Sequence, residues 1–126
     1  MKSILIVEDS PIESAIYRKL LGNDFHLEFM GSAEDALTVV DCRSFDLLIS
    51  DINLPGMSGP EMIAKIREID LLQDLGIAVI SSDQPGIEQA LAAGASAWFL
   101  KPINHKIFLE SIYVVIDKVT RRHNNR

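Results

Sequence analysis

The sequence predicts a single α/β domain, built as a doubly wound parallel sheet of five strands with helices on both faces. Three observations lead to this. Short uninterrupted apolar runs, Ile4-Leu5-Ile6-Val7 and Leu47-Leu48-Ile49-Ser50, read as strands buried on both sides. Strand-like and helix-like periods alternate along the chain, and right-handed crossovers between parallel strands place helices on both faces. Both runs stop on carboxylates, Glu8-Asp9 and Asp51, and in an open α/β sheet the carboxyl ends of the strands form the ligand crevice.

The elements follow in order. Residues 3–8 form the first strand. Ser10-Pro11-Ile12-Glu13 then supplies an N-cap, a proline at the first helical position and an acid three residues after the cap. Ile12, Ala15, Ile16, Lys19 and Leu20 give that helix one mainly apolar face, and Gly22-Asn23 ends it. Residues 26–30 alternate enough to be an edge strand, and Ser32-Ala33-Glu34-Asp35 opens a second helix reaching about residue 43. Phe45 to Ser50 is the third strand, and Asp51 to Ser58 a loop marked by Pro55-Gly56. Ser58-Gly59-Pro60-Glu61 starts a third helix ending near Ile69. Ile77 to Ser81 is the fourth strand, an Ala-rich helix from Pro85 to Ala93 stops at Gly94, and Ala97 to Leu100 is the fifth strand. Asn104 caps a last helix whose stripe is Ile107, Phe108, Ser111, Ile112, Val115 and Val119. Residues 1–120 make the domain, and 121–126 form a polar, basic tail, either a solvated helix end or a junction to a further domain.

Composition narrows the function. At 126 residues the chain is one domain of common size, and a net charge of -6 argues against nucleic acid as its direct partner. The single cysteine, Cys42, excludes an internal disulfide and suits a reducing cytosol; its apolar surroundings predict a partly buried, inert thiol. No apolar run approaches the roughly 20 residues that cross a bilayer, and no secretory signal is read, so a cytoplasmic protein is expected. His26, His105 and His123 are scattered without metal-ligand spacing, and Met57 and Met62 read as packing residues.

Four strand ends carry reactive groups: Glu8 and Asp9, Asp51, Ser81, and Lys101. An aspartate such as Asp51 can attack phosphorus to form an acyl phosphate. Glu8, Asp9 and Asp51 offer oxygen ligands only, which suits Mg²⁺ or Mn²⁺ and not zinc. Lys101 supplies a positive charge for one phosphoryl oxygen and the Ser81 hydroxyl a donor for another.

With these pieces in hand, the chain resembles the receiver domain of two-component response regulators. The matching pieces are Ile-Leu-Ile-Val-Glu-Asp (4–9), Asp51-Ile-Asn-Leu-Pro-Gly-Met-Ser-Gly59, Val-Ile-Ser-Ser (79–82), and Ala-Gly-Ala (93–95) leading to Leu100-Lys101-Pro102. The resemblance covers residues 2 to about 120 and implies a flavodoxin-like sheet in the strand order 2-1-3-4-5. It also implies that Asp51 accepts a phosphoryl group from a sensor histidine kinase or a histidine phosphotransfer protein, in a Mg²⁺-dependent reaction that is later reversed by hydrolysis. Asn53 would lend its backbone carbonyl to the metal, alongside Glu8, Asp9 and Asp51. The Lys101-Pro102 bond would be cis, and Ser81 and Trp98 would move on phosphorylation to alter the surface read by an output domain or downstream protein. Trp98 has a plainer reading as a half-buried residue packed on the fourth helix.

The chain departs from the family pattern in places. Glu8 replaces a first aspartate, Ser81 stands for a frequent threonine, and Asp83 adds a negative charge near the site. Ala95-Ser96-Ala97 lacks an acidic pair typical of one dimerising class. Three other functions compete. A phosphatase with an aspartate nucleophile would want a second acid at position 53, which is Asn. A flavin carrier would want a Ser/Thr/Gly-rich loop where Glu8-Asp9-Ser10-Pro11 stands. A receiver-like interaction module would work without phosphorylation.

Overall fold

Strand β1 (Ser3–Val7) shows how the sequence builds the sheet. Ile4 and Ile6 point into one core and Leu5 and Val7 into another, which is why the run is apolar at every position. The computed structural model describes residues 1–124. After β1 come α1 (Pro11–Leu21), β2 (His26–Met30), α2 (Ala33–Val39), β3 (Leu47–Asp51), α3 (Gly59–Arg67), β4 (Gly76–Ser81), α4 (Gln84–Ala93), β5 (Ala97–Leu100) and α5 (His105–Asn124), with a 3₁₀ turn at Asp70–Leu72. All four strand pairings are parallel and the order is β2-β1-β3-β4-β5. The register sets Val7 beside Ser50 and Asp51 beside Ile80, so the carboxyl ends of the central strands finish at one level.

The two cores divide the helices. Leu5, Val7, Leu48, Ile77 and Val79 pack under α2, α3 and α4 through Ala33, Ala36, Met62, Ile63, Ile66, Ile87 and Ala90. Ile4, Ile6, Ile49, Ala78 and Ile80 pack under α1 and α5 through Tyr17, Leu21, Phe108, Ile112 and Ile116. Phe108 is the largest fully buried side chain, meeting Phe99 edge-on with ring centroids 4.9 Å apart and Tyr17 at 6.0 Å.

Several local expectations change. The buried face of α1 is Ser14, Tyr17 and Leu21, while Ile12 is 76% exposed and Ile16 also faces outward. Tyr17 carries an aromatic ring that packs against Phe108, so the helix turns that side inward and leaves the isoleucines out. The stripe of α5 likewise centres on Phe108, Ile112 and Ile116, with Ile107 exposed. Helix α2 stops at Val39, earlier than its apolar period suggests, and Cys42 lies beyond it with an exposed thiol. Helix α3 ends at Arg67, whose guanidinium donates to the carbonyls of Leu72 and Gly94 and ties α3 to the α4–β5 turn. Gly94 closes α4 at φ +123°, a conformation that L side chains rarely adopt. Within the polar tail, Arg121 pairs with Asp117 on α5, and Asn125 and Arg126 lie outside the described residues. No helix among the described residues is long and apolar enough to cross a membrane.

Candidate functional site

Parallel strands bring their carboxyl ends to one edge, and four of those ends carry the groups singled out in the sequence. Asp51 is the last residue of β3 and is 7% exposed. Its Oδ1 accepts from the Asn53 amide at 2.9 Å, and its Oδ2 lies 2.8 Å from Lys101 Nζ. Lys101 follows β5, where its amide donates to the Ser81 carbonyl and anchors the residue to the end of β4. The Lys101-Pro102 peptide bond is cis. Ser81 is fully buried; its Oγ accepts from the Asp83 amide at 3.0 Å, which leaves the hydroxyl proton to be given.

Glu8 follows β1 and is buried. Its amide donates to the Met30 carbonyl, and its Oε2 accepts from the Ser10 amide at 3.1 Å. Its Oε1 is buried without a hydrogen-bond partner. A third acid was not foreseen here: Glu13, in the first turn of α1, places its Oε1 2.8 Å from Lys101 Nζ. One ligand oxygen each from Glu8, Glu13 and Asp51 lies within 4.8 Å of the others. Asp9 is exposed and stands outside this cluster, and Asn53 is exposed beside it.

Electrostatics follow from three clustered carboxylates, two of which, Asp51 and Glu13, share the Lys101 ammonium. Burial, then the Glu13 carboxyl and the charge of Asp51, push Glu8 well above the ordinary carboxylate range. Burial also pushes Glu13 upward, but the Glu8 carboxyl and the Lys101 ammonium outweigh it and hold Glu13 below that range. Burial acts to lower Lys101, and its bonds to Asp51 and Glu13 overcome this and raise it. Glu8 Oε1 has no donor in reach, so the charge on Glu8 is left uncompensated. Either a proton on Glu8 or a bound cation relieves it. An all-oxygen donor set of this charge fits a hard divalent ion.

Trp98, on edge strand β5, is 48% exposed and lines a surface hollow with Glu110, Ser111 and Val114 of α5. A separate cavity of about 420 Å³ adjoins the site, lined by Glu13, Lys101, Ile16, Tyr17 and Ile103 among others. Glu13 left a faint signal in the sequence, as the acid of a capping motif. That motif directs its side chain to a helix terminus, not to a lysine 88 positions away.

Known proteins resemble the chain over most of its length. Residues 4–113 match the model of the response regulator receiver domain. The chain is 28% identical over 121 residues to the chemotaxis protein CheY of Pseudomonas aeruginosa, covering 92% of this chain and 97% of that one. It is 30% identical over 114 residues to the two-component response regulator ARR3 of Arabidopsis thaliana, covering 79% of this chain and 49% of that protein. It thus spans nearly all of the bacterial relative and about half of the plant one. Among solved structures, the chemotaxis response regulator CheY4 of Vibrio cholerae superposes with a TM-score of 0.85 at 25% identity, over 91% of this chain and 98% of that one. The family model covers most of the chain, and the chain belongs to the response regulator receiver domain family.

Proposed function

We propose that Asp51 is the phosphoacceptor of this receiver domain, taking its phosphoryl group from the phosphohistidine of a sensor kinase or phosphotransfer protein. One observation supports this above the rest: a nearly buried aspartate at the end of a central strand has a lysine ammonium 2.8 Å from one oxygen and a backbone amide 2.9 Å from the other. An Asp51 oxygen forms the new bond to phosphorus as the phosphorus–nitrogen bond of the donor breaks, and the histidine leaves with the electron pair and takes up a proton. The two fixed donors hold the carboxylate in place, so the attack starts from a positioned group. Lys101 balances charge on the transferring oxygens, and Ser81 gives its proton to a second oxygen once its side chain turns toward Asp51.

Glu8, Asp9, Asp51 and the Asn53 carbonyl are the groups that would hold Mg²⁺, or Mn²⁺ in its place. When bound, the ion neutralises the acid cluster and the incoming phosphoryl charge. The orphaned Glu8 Oε1 supports a cation here, and magnesium is coordinated in the active-site cleft of the receiver domain of the Pseudomonas aeruginosa sensor kinase PA1611, which shares this fold. Ser81 and Trp98 are the elements read as the switch, two packings biased by the phosphoryl charge. Residues 1–120 form the working unit, in the cytoplasm, and the surface beside Trp98 meets the output partner. The test is incubation with acetyl phosphate, with and without Mg²⁺, followed by intact mass. A metal-dependent gain of one phosphoryl group in the wild type and none in Asp51→Asn supports the reading, whereas equal gain in both contradicts it.

A further inference from the structure

In a capping box the acid three residues after the N-cap folds back onto the cap residue's own amide. Here that amide is already taken, because the Ser10 N–H donates to Glu8 Oε2 at 3.1 Å. The other half of the box stays intact, with Ser10 Oγ accepting from the Glu13 amide at 3.3 Å. The Glu13 carboxylate is thereby released from capping. Its Oε1 comes to rest 2.8 Å from Lys101 Nζ, the same distance that separates Lys101 from Asp51 Oδ2. The pair is partly shielded, at 27% and 32% side-chain exposure, where a charge contact is stronger than on an open surface.

We propose that Glu13 is an internal competitor for Lys101, an anion built into the chain that holds on the ammonium the place an oxygen of the Asp51-bound phosphoryl group takes. This deepens the reading of Asp51 as acceptor and Lys101 as the phosphoryl partner, and rests on it. The physics is a sharing problem. One ammonium serves two carboxylates in the resting protein, and a phosphoryl group on Asp51 brings further negative charge to the same nitrogen. Holding both Glu13 and that group on Lys101 sets like charges within a few ångströms, so one contact weakens as the other forms. Glu13 is therefore a positioning residue. It keeps Lys101 aimed at the crevice in the resting state and lowers the occupancy of any phosphoryl group or phosphoryl mimic that needs the same cation.

The test is an equilibrium titration with beryllofluoride in the presence of Mg²⁺, followed by ¹⁹F NMR of the bound fluorines. Glu13→Gln keeps the side chain's size, an oxygen for Lys101 and the backbone cap, and removes the charge. The half-saturating concentration is expected to fall by about tenfold in Glu13→Gln, the scale of one like-charge contact in a half-shielded site. The same comparison in a Lys101→Met background, or Lys101→Gln should that variant fail to fold, separates competition from simple repulsion. Competition predicts that the Glu13→Gln gain shrinks to less than about twofold once the shared cation is gone. Unchanged or weaker binding in Glu13→Gln overturns the proposal, and so does a gain of the same size without Lys101. A wild-type protein that binds no beryllofluoride defeats the reading of Asp51 itself, and the inference falls with it.

Discussion

Lys101 Nζ stands 2.8 Å from Asp51 Oδ2, and this contact reaches across β4, because β3 and β5 are not neighbours in the sheet. Two strand ends that share no ladder are thus joined through a side chain, at the level where the central strands stop. Lys101 pairs with Asp51 and Glu13, two of the three clustered acids, and Glu8 has no such partner among the described residues.

Asp51 adds its charge to those of Glu8 and Glu13. Asp51→Asn removes one of the crowded charges while Lys101 retains Glu13 as a partner. Urea unfolding without divalent ions is expected to show the variant more stable than wild type by about 1 kcal/mol, the usual trade between activity and stability at a charged site. A less stable variant would show that the Lys101 contact outweighs the repulsion.

The pH dependence of stability follows from Glu8 and Glu13 with opposite signs. The folded protein holds the Glu8 proton more tightly than the unfolded chain does, so the stability from this group is complete below the ordinary value of 4.5 and is lost as pH rises through its raised folded value. Glu13 is shifted down, so its contribution is present above 4.5 and is lost as pH falls through its lowered value. Metal-free protein should therefore lose stability as pH climbs above the carboxylate range, and Glu8→Gln should flatten that limb of a thermal-melt series. Mg²⁺ should stabilise most at the high-pH end, where the proton it displaces is already leaving.

Gly94 and Gly31 separate two kinds of glycine. A Cβ at Gly94 would meet Arg67 Cγ at 2.7 Å in a backbone held at φ +123°, whereas a Cβ at Gly31 would meet nothing within 4 Å. Gly94→Ala should cost about 1–3 kcal/mol and Gly31→Ala less than about 0.5 kcal/mol, measured by chemical denaturation.

Phe108 and Ile107 test which face of α5 is inward. Phe108→Ala empties the centre of one core and should cost about 3–5 kcal/mol, while Ile107→Ala, at a position 59% exposed, should be close to neutral. The reverse ranking would mean that the helix is rotated from the position described.

The architecture was legible in the sequence because apolar runs without alternation, such as Ile4–Val7, have few homes other than a strand covered on both faces. The strand ends were legible for the same reason, since the runs stop where the acids begin. The buried face of α1 was not. Hydropathy ranked Ile12 and Ile16 above Tyr17, but the packing partner on α5 is Phe108, and an aromatic ring fills that space where an isoleucine falls short. Glu13 was missed because its role depends on Glu8 already holding the Ser10 amide, a contact between residues in the turn that no periodicity encodes. Asp9 stands in the same motif as Glu8 and reads as equivalent to it, yet Glu8 is buried and Asp9 exposed, a difference that residue type and spacing do not encode.

The central claim, that Asp51 carries the phosphoryl group, is tested most directly by trapping. Borohydride reduces an aspartyl phosphate to homoserine, and the mass of the peptide spanning β3 reports where the reduction occurred. After acetyl phosphate and Mg²⁺, homoserine at position 51 is the predicted result. Reduction at Glu8, Asp9 or Glu13 instead, or at no acidic residue of a protein that has gained a phosphoryl group, would contradict it.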